Sequence, residues 1–177
     1  MDKAAFLDRD GIINVDHGYV SSPEQFDFME GIFELCAALK QKGYKLVVVT
    51  NQSGIGRGYY SEQSFWQLSD WMREQFEAQG IVLDGIYFCP HHPSDASGEY
   101  RCECQCRKPA PGMLLKAAEE LDLALSQSLM IGDKQSDMEA AKAAGLKGGF
   151  LLTEATGGSD PFYRQVSRLS AIAPLLS

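Results

Sequence analysis

Short runs of apolar and β-branched residues alternate along this chain with longer stretches whose apolar positions recur at helical spacing. The pattern predicts strands over Ala4-Leu7, Lys45-Thr50, Gly85-Cys89, Leu129-Gly132 and Gly149-Leu152, because short apolar runs bounded by turn residues suit buried strands. Between the first two, Ile32, Leu35, Cys36 and Leu39 stand at i, i+3, i+4 and i+7, marking a helix face that Gly43 ends. Cys36 on that stripe reads as core packing. A second helix starts near Ser61, buries Phe65, Leu68, Met72 and Phe76, and stops at Gly80, while Pro111 opens a third at the favoured first helical position. Gly157-Gly158-Ser159-Asp160-Pro161 reads as a flexible turn before a C-terminal helix. Alternating strands and helices predict three α/β/α layers around a mostly parallel sheet. No repeat, low-complexity tract or linker divides the chain, so residues 1–177 are expected to form one domain. The first four strands each run straight into polar residues at their carboxyl ends, where sheets of this type bind ligands.

Composition narrows the classes. A chain of 177 residues, 45% hydrophobic and 23% charged, has a core large enough to need no staples. Its formal net charge is -8 and it has no basic run, so nucleic acid and membrane surfaces would work against its field. The N-terminus turns acidic before a signal-peptide core forms, and no later apolar run approaches the roughly 20 residues of a membrane span. A cytoplasmic, monomeric protein acting on a small molecule is expected.

The carboxyl end of the first strand carries Asp8-Arg9-Asp10-Gly11, two aspartates two residues apart, a spacing that can aim both into one crevice. Phosphate-monoester hydrolysis needs up to about 10²¹-fold acceleration, whereas one general acid or base supplies roughly 10²–10⁴. Paired carboxylates divide that labour: one attacks phosphorus and forms an aspartyl-phosphate, and the other protonates the leaving oxygen and later activates water. Carboxylates facing a phosphate also require a hard cation such as Mg²⁺. A third acid, Asp133, stands at the end of another strand and can complete that site, with Asp137 in support. Any one of these aspartates, taken alone, is as well explained as a helix cap or turn former. The second strand ends in Thr50-Asn51-Gln52-Ser53-Gly54, hydroxyl, amide and small residues suited to phosphate oxygens. Arg107 and Lys108 bring adjacent cations, Lys108 for the transferring phosphoryl group and Arg107 for a second anionic group. Surface salt bridging is the plainer role for both.

The longest aperiodic stretch, His91 to Gln105, lies among four of the five cysteines. In a reducing compartment such a cluster favours metal binding over disulfides. Cys89-x-His91, then Cys104-x-Cys106, provide three thiols and one imidazole, a ligand set for structural tetrahedral Zn²⁺ that would brace the loop presenting Arg107 and Lys108. Cys102 and His92 compete as ligands. His17 either binds sugar hydroxyls or packs, Arg57 faces sugar or solvent, and Trp66, Trp71, Tyr59 and Tyr60 form a sugar-stacking face or ordinary packing.

Taken together, Asp8-Arg9-Asp10-Gly11, Thr50, Lys108 and Gly132-Asp133 with Asp137 resemble, in order, the four motifs of the haloacid-dehalogenase (HAD) superfamily of phosphatases. Within it, Asn14-Val15-Asp16-His17-Gly18-Tyr19-Val20, Val48-Val49-Thr50-Asn51-Gln52-Ser53-Gly54-Ile55, Tyr87-Phe88-Cys89-Pro90-His91-His92-Pro93 and Cys104-Gln105-Cys106-Arg107-Lys108-Pro109 are similar to the heptose 1,7-bisphosphate phosphatases, relatives of the histidinol-phosphatase branch. The resemblance implies a HAD-like Rossmannoid domain without a large cap, with Asp8 as nucleophile, Asp10 as general acid/base and Asp8, Asp10 and Asp133 around Mg²⁺. It implies phosphoryl stabilisation by Thr50 and Lys108. Substrate contacts fall to Asp16, His17, Gly18, Tyr19, Thr50, Asn51, Gln52, Ser53, Arg107, Lys108 and Lys134. It favours Cys104 over Cys102 at zinc, and it points to a sugar bisphosphate from a lipopolysaccharide or surface-glycan pathway. Histidinol phosphate is the rival substrate. A non-catalytic, zinc-braced binding module is the rival class.

Overall fold

Strand β1 (Ala4–Leu7) has no exposed position. Ala4 and Phe6 turn to one apolar layer and Ala5 and Leu7 to the other, so a continuously apolar run becomes the centre of a sheet covered on both faces. In a computed structural model, describing residues 1–155, 158 and 160–176, β1 pairs in parallel with β2 (Lys45–Asn51) and with β4 (Leu129–Gly132). β3 (Gly85–Cys89), β5 (Gly148–Leu152) and β6 (Tyr163–Val166) complete a six-stranded sheet of order β3-β2-β1-β4-β5-β6. Every pairing is parallel.

Helices α1 (Ile32–Gln41) and α3 (Glu62–Ala78) supply one apolar layer, α4 (Gly112–Leu121) and α5 (Gln135–Ala144) the other. Ser61 caps α3 by accepting a hydrogen bond from the Ser64 amide at 3.0 Å, the role its residue type favours. Phe65, Leu68, Met72 and Phe76 all lie on the buried stripe of α3, each worth about 1.5–3 kcal/mol relative to exposure. Pro111 sits one position earlier than expected, as the N-cap of α4. A short helix, α2 (Ser53–Gly56), follows β2 directly. Only a three-residue 3-10 turn and α1 separate β1 from β2 as regular elements, so no inserted cap covers the strand ends among the described residues.

The expected C-terminal helix is replaced by strand β6 and two 3-10 turns, Leu169–Ala171 and Ala173–Leu175. Pro174 lacks the amide a continuing helix needs, and edge strand β6 is too short to show a period in the sequence. Of the expected turn before it, Gly157 and Ser159 lie outside the described residues. Among those described, no helix is long and apolar enough to cross a membrane.

β1 leads to β2 on one side and is flanked by β4 on the other. This reversal of strand order opens a crevice beyond the carboxyl ends of β1 and β4, and both aspartate motifs begin there.

Candidate active site

Asp8 follows the last residue of β1, on the face that Phe6 shares with α4 and α5. The Lys108 ammonium reaches it from the loop before α4, at 3.0 Å from Asp8 Oδ1, 2.6 Å from Asp137 Oδ1 and 2.9 Å from the Val49 carbonyl. Its three hydrogens are thereby spent. Asp8, Lys108 and Asp137 are all buried. Burial works against the lysine's charge, but the Asp8 and Asp137 carboxylates outweigh it and hold the ammonium above its usual pKa. Asp137, in the first turn of α5, also accepts the Asp133 and Lys134 amides, each at 3.1 Å. Both of its oxygens are committed, so it fixes Lys108 and the Asp133 turn in place.

Asp133 completes the cluster. One carboxylate oxygen each of Asp8, Asp133 and Asp137 lies within 4.8 Å of the others, and Asp133 Oδ1 is buried without a hydrogen-bond partner. Burial pushes the Asp8 carboxyl well above the usual carboxylate range, against the pull of Lys108 and with help from Asp137, Asp133 and Asp10. Burial first, then Asp137, raises Asp133. Three carboxyl groups against one ammonium leave a surplus that a divalent cation would neutralise, and an orphaned oxygen is what such an ion would satisfy. The residues fit Mg²⁺. Gly11, at φ +94, leaves room for this arrangement, since a Cβ there would collide with the Asp133 carboxylate.

Asp10, the expected third metal ligand, turns its carboxylate elsewhere. Its Oδ1 accepts from Arg9 at 2.9 Å and from Asn14 at 3.0 Å, and its Oδ2 from Gln52 at 3.1 Å. The Gln52 amide also donates to Thr50 Oγ1 at 2.9 Å, while its oxygen accepts from the Tyr60 hydroxyl. Thr50 is buried beneath these groups. Asn51, expected at the substrate, borders the crevice and exchanges two hydrogen bonds with the main chain of Lys108. Sequence reasoning assigns Arg9 and Asn14 no role beyond their place in the motif stretches, and Tyr60 only a place in a sugar-stacking or packing face. An arginine between two aspartates was the one available signal, and a buried arginine contradicts residue preference.

A cavity of about 570 Å³ opens above these groups. Asp10, Asp16, Gly18, Tyr19, Asn51, Gln52, Ser53, Arg107, Lys108 and Lys134 border it. A cleft of about 40 Å³, lined by Asp8, Asp137 and five residues shared with that cavity, lies against the carboxylates; it has room for an ion or a water, not a sugar. His17 does not border the cavity; its imidazole pairs with Asp27 at 2.7 Å on the exposed side of the loop. A larger depression of about 750 Å³ follows edge strand β3 and contains none of the catalytic candidates, so volume alone does not mark the site.

Beyond β3, the ligand atoms of Cys89, His91, Cys104 and Cys106 also lie within 4.8 Å of one another. The Sγ atom of Cys89 is 3.5 Å from that of Cys104 and 2.8 Å from that of Cys106, and His91 Nδ1 is 3.3 Å from Cys106. A tetrahedral ion with about 2.3 Å bonds to sulfur separates its ligands by about 3.8 Å, so the cluster needs little adjustment to hold one. His92 is turned away, its Nδ1 accepting the Ser94 and Asp95 amides at 3.1 and 2.8 Å, and Cys102 stands outside the cluster.

A family model described as HAD-hydrolase-like matches residues 105–166. The D-glycero-beta-D-manno-heptose-1,7-bisphosphate 7-phosphatase of Vibrio cholerae is 55% identical over 143 residues, 81% of this chain and 77% of that protein. The D-glycero-alpha-D-manno-heptose-1,7-bisphosphate 7-phosphatase of Burkholderia mallei is 53% identical over 152 residues, 86% of this chain and 80% of that protein. A crystal structure of the D,D-heptose 1,7-bisphosphate phosphatase from B. bronchiseptica, complexed with magnesium and phosphate, superposes with a TM-score of 0.84 at 34% identity, covering 98% of this chain and 97% of that one. Fold, crevice chemistry and relatives agree: the chain belongs to the heptose 1,7-bisphosphate 7-phosphatase family of the HAD superfamily.

Proposed function

We propose that this chain is a Mg²⁺-dependent phosphomonoesterase that removes the 7-phosphate of D-glycero-D-manno-heptose 1,7-bisphosphate and leaves the heptose 1-phosphate. The observation that carries the chemistry is the buried contact between Asp8 and Lys108, 3.0 Å apart at the floor of the crevice. Asp8 attacks phosphorus and forms an aspartyl-phosphate as the bond to the sugar oxygen breaks. Asp10, held above the crevice by Arg9, Asn14 and Gln52, gives its proton to that oxygen. It then takes a proton from the water that attacks the aspartyl-phosphate, releasing inorganic phosphate and restoring Asp8. Lys108 and the Thr50 hydroxyl offset charge on the phosphoryl oxygens.

Asp8 and Asp133 would hold Mg²⁺ through their side chains, with Asp10, whose carboxylate is engaged by Arg9, Asn14 and Gln52, as the third proposed ligand. Bound there, the ion supplies Lewis-acid polarisation and lets an anionic ester approach anionic carboxylates. Cys89, His91, Cys104 and Cys106 would hold a structural Zn²⁺, supported by their clustering. Arg107 takes the second phosphate, and Asp16, Gly18, Tyr19, Ser53 and Lys134 border the sugar, supported by their place around the cavity. We further propose a monomeric, single-domain enzyme, and the substrate class favours the cytoplasm. The two relatives' names specify opposite anomers, so the anomeric preference is left to measurement.

The test is phosphate release, with and without Mg²⁺, from both heptose 1,7-bisphosphate anomers and from histidinol phosphate, with ³¹P NMR to identify the phosphate lost. The bisphosphate is expected to give the higher kcat/KM, with loss from carbon 7 and none from Asp8→Asn. Preference for histidinol phosphate would overturn the substrate, and an active Asp8→Asn variant the mechanism.

A further inference from the structure

Tyr60 touches neither the acidic cluster nor Lys108, yet its hydroxyl ends on the one amide oxygen that decides how Gln52 is turned. Gln52 is buried, and all of its polar groups are engaged. A carboxylate only accepts and a phenol donates well, so the Tyr60 hydroxyl on Oε1 points the Gln52 NH₂ toward Asp10 Oδ2 at 3.1 Å and Thr50 Oγ1 at 2.9 Å. Were the amide reversed, its oxygen would face Asp10 Oδ2, an arrangement without a hydrogen bond whenever Asp10 is ionised. Main-chain packing preserves the relay. Gly54, one residue into α2, lies against the Tyr60 ring so closely that a Cβ there would strike both the Tyr60 and Tyr19 rings. Burial pushes the Tyr60 phenol up to about 12, so it remains a donor throughout the range in which the enzyme would work.

From this geometry we propose that Tyr60 is a positioning residue for the general acid: through Gln52 it sets the orientation of the Asp10 carboxylate over the leaving oxygen. The inference rests on the reading of Asp10 as the proton donor. Arg9 and Asn14 both hold Asp10 Oδ1, so the Gln52 contact is the restraint on the other oxygen. Rotation about the carboxylate axis is what Tyr60 controls.

The experiment compares Tyr60→Phe with the unaltered enzyme on two esters. Phenylalanine keeps the ring against Gly54 and removes only the hydroxyl. One ester is the sugar bisphosphate, whose alkoxide leaving group needs a proton; the other is p-nitrophenyl phosphate, whose phenolate leaves unaided. kcat/KM reports steps up to formation of the aspartyl-phosphate. The expected result is a loss of about tenfold in kcat/KM on the sugar ester, the worth of one hydrogen bond, with little change on the aryl ester. A Gln52→Ala variant should lose more, and adding Tyr60→Phe to it should cost nothing further. An equal loss on both esters, or none on either, overturns the positioning role. An unaltered enzyme that turns over the aryl ester while Asp10→Asn leaves the sugar ester unaffected would instead overturn Asp10 as the acid, a separable outcome.

Discussion

Asn51 and Lys108 hold each other through two reciprocal hydrogen bonds: the Lys108 amide donates to Asn51 Oδ1 at 3.0 Å, and Asn51 Nδ2 donates to the Lys108 carbonyl at 3.2 Å. The last residue of β2 is therefore tied to the backbone of a lysine on a different loop. A side chain that borders the cavity thus also places the cation beside Asp8.

Asn51→Ala should accordingly act like a partial loss of Lys108. Two hydrogen bonds at about 1 kcal/mol each correspond to a roughly 30-fold fall in kcat. KM should change little, because the cavity wall remains. Steady-state kinetics decide it; a raised KM at unchanged kcat would mean that Asn51 acts as a substrate contact rather than through Lys108.

How much of this was legible depends on what kind of position each residue occupies. Asp8, Thr50 and Asp133 sit at the ends of strands whose apolar runs show their limits, and β1, β2 and β4 are central strands, so the crevice could be located from the pattern. Cys89, His91, Cys104 and Cys106, the clustered thiols and imidazole, repeat a two-residue spacing that needs no tertiary knowledge. Asp10 and Asp137 were legible as acids but not in their partners. Which of the two faces Asp133 depends on the first turn of α5 and on the turn through Gly11, neither of which has a period. Tyr60 lies beyond α2 next to another tyrosine, and nothing local separates the half-buried ring from the exposed one, Tyr59. Strand β6 was missed because a four-residue edge strand with one exposed and two half-buried positions carries too little pattern.

The acidic cluster predicts a reversed pH dependence in the Mg²⁺-free protein. Asp8 and Asp133 are both held above their usual values, so between about pH 4 and the raised values the folded state binds more protons than the unfolded state. Stability then falls as pH rises. Mg²⁺ favours the ionised forms, so its stabilising effect should grow from pH 5 to pH 7. Thermal unfolding of protein dialysed free of Mg²⁺, with zinc retained, tests this. Asp133→Asn should raise the midpoint at pH 7 without Mg²⁺ and abolish the response to added Mg²⁺; a lower midpoint would remove the surplus-charge argument.

For the second metal, the discriminating pair is Cys102→Ser and Cys104→Ser. Cys104 lies 3.5 Å from the thiols of both Cys89 and Cys106 and accepts the Arg107 amide at 3.4 Å, whereas Cys102 has no place in the cluster. Elemental analysis should find about one zinc per chain in Cys102→Ser, as four ligands close the site, and a clear loss in Cys104→Ser. Activity should fall with the zinc, because Arg107 and Lys108 directly follow the last ligand. Equal zinc in both variants would reopen the choice of ligands.

Arg9 separates stability from catalysis most sharply. Its side chain is only 2% exposed, and its guanidinium bonds Asp10 Oδ1 at 2.9 Å and the Val20 carbonyl at 2.8 Å. Removing one partner of such a pair leaves a charge poorly solvated, which costs about 3–5 kcal/mol when both partners are fully buried. The Asp10 side chain is 20% exposed, so about 2–3 kcal/mol is expected for Arg9→Met, or a fall of roughly 5–10 °C in Tm for a domain of this size. Adding Asp10→Asn removes the stranded charge and should recover much of that stability, since apolar replacement of both partners is often near neutral. Activity on the sugar ester should not return, because the proton donor is gone. Recovery of Tm together with turnover would mean that Asp10 stabilises the loop rather than serving as the acid, whereas recovery of Tm alone assigns the pair two roles: Arg9 satisfies and aims a carboxylate whose presence in the crevice is required by the chemistry rather than by the fold.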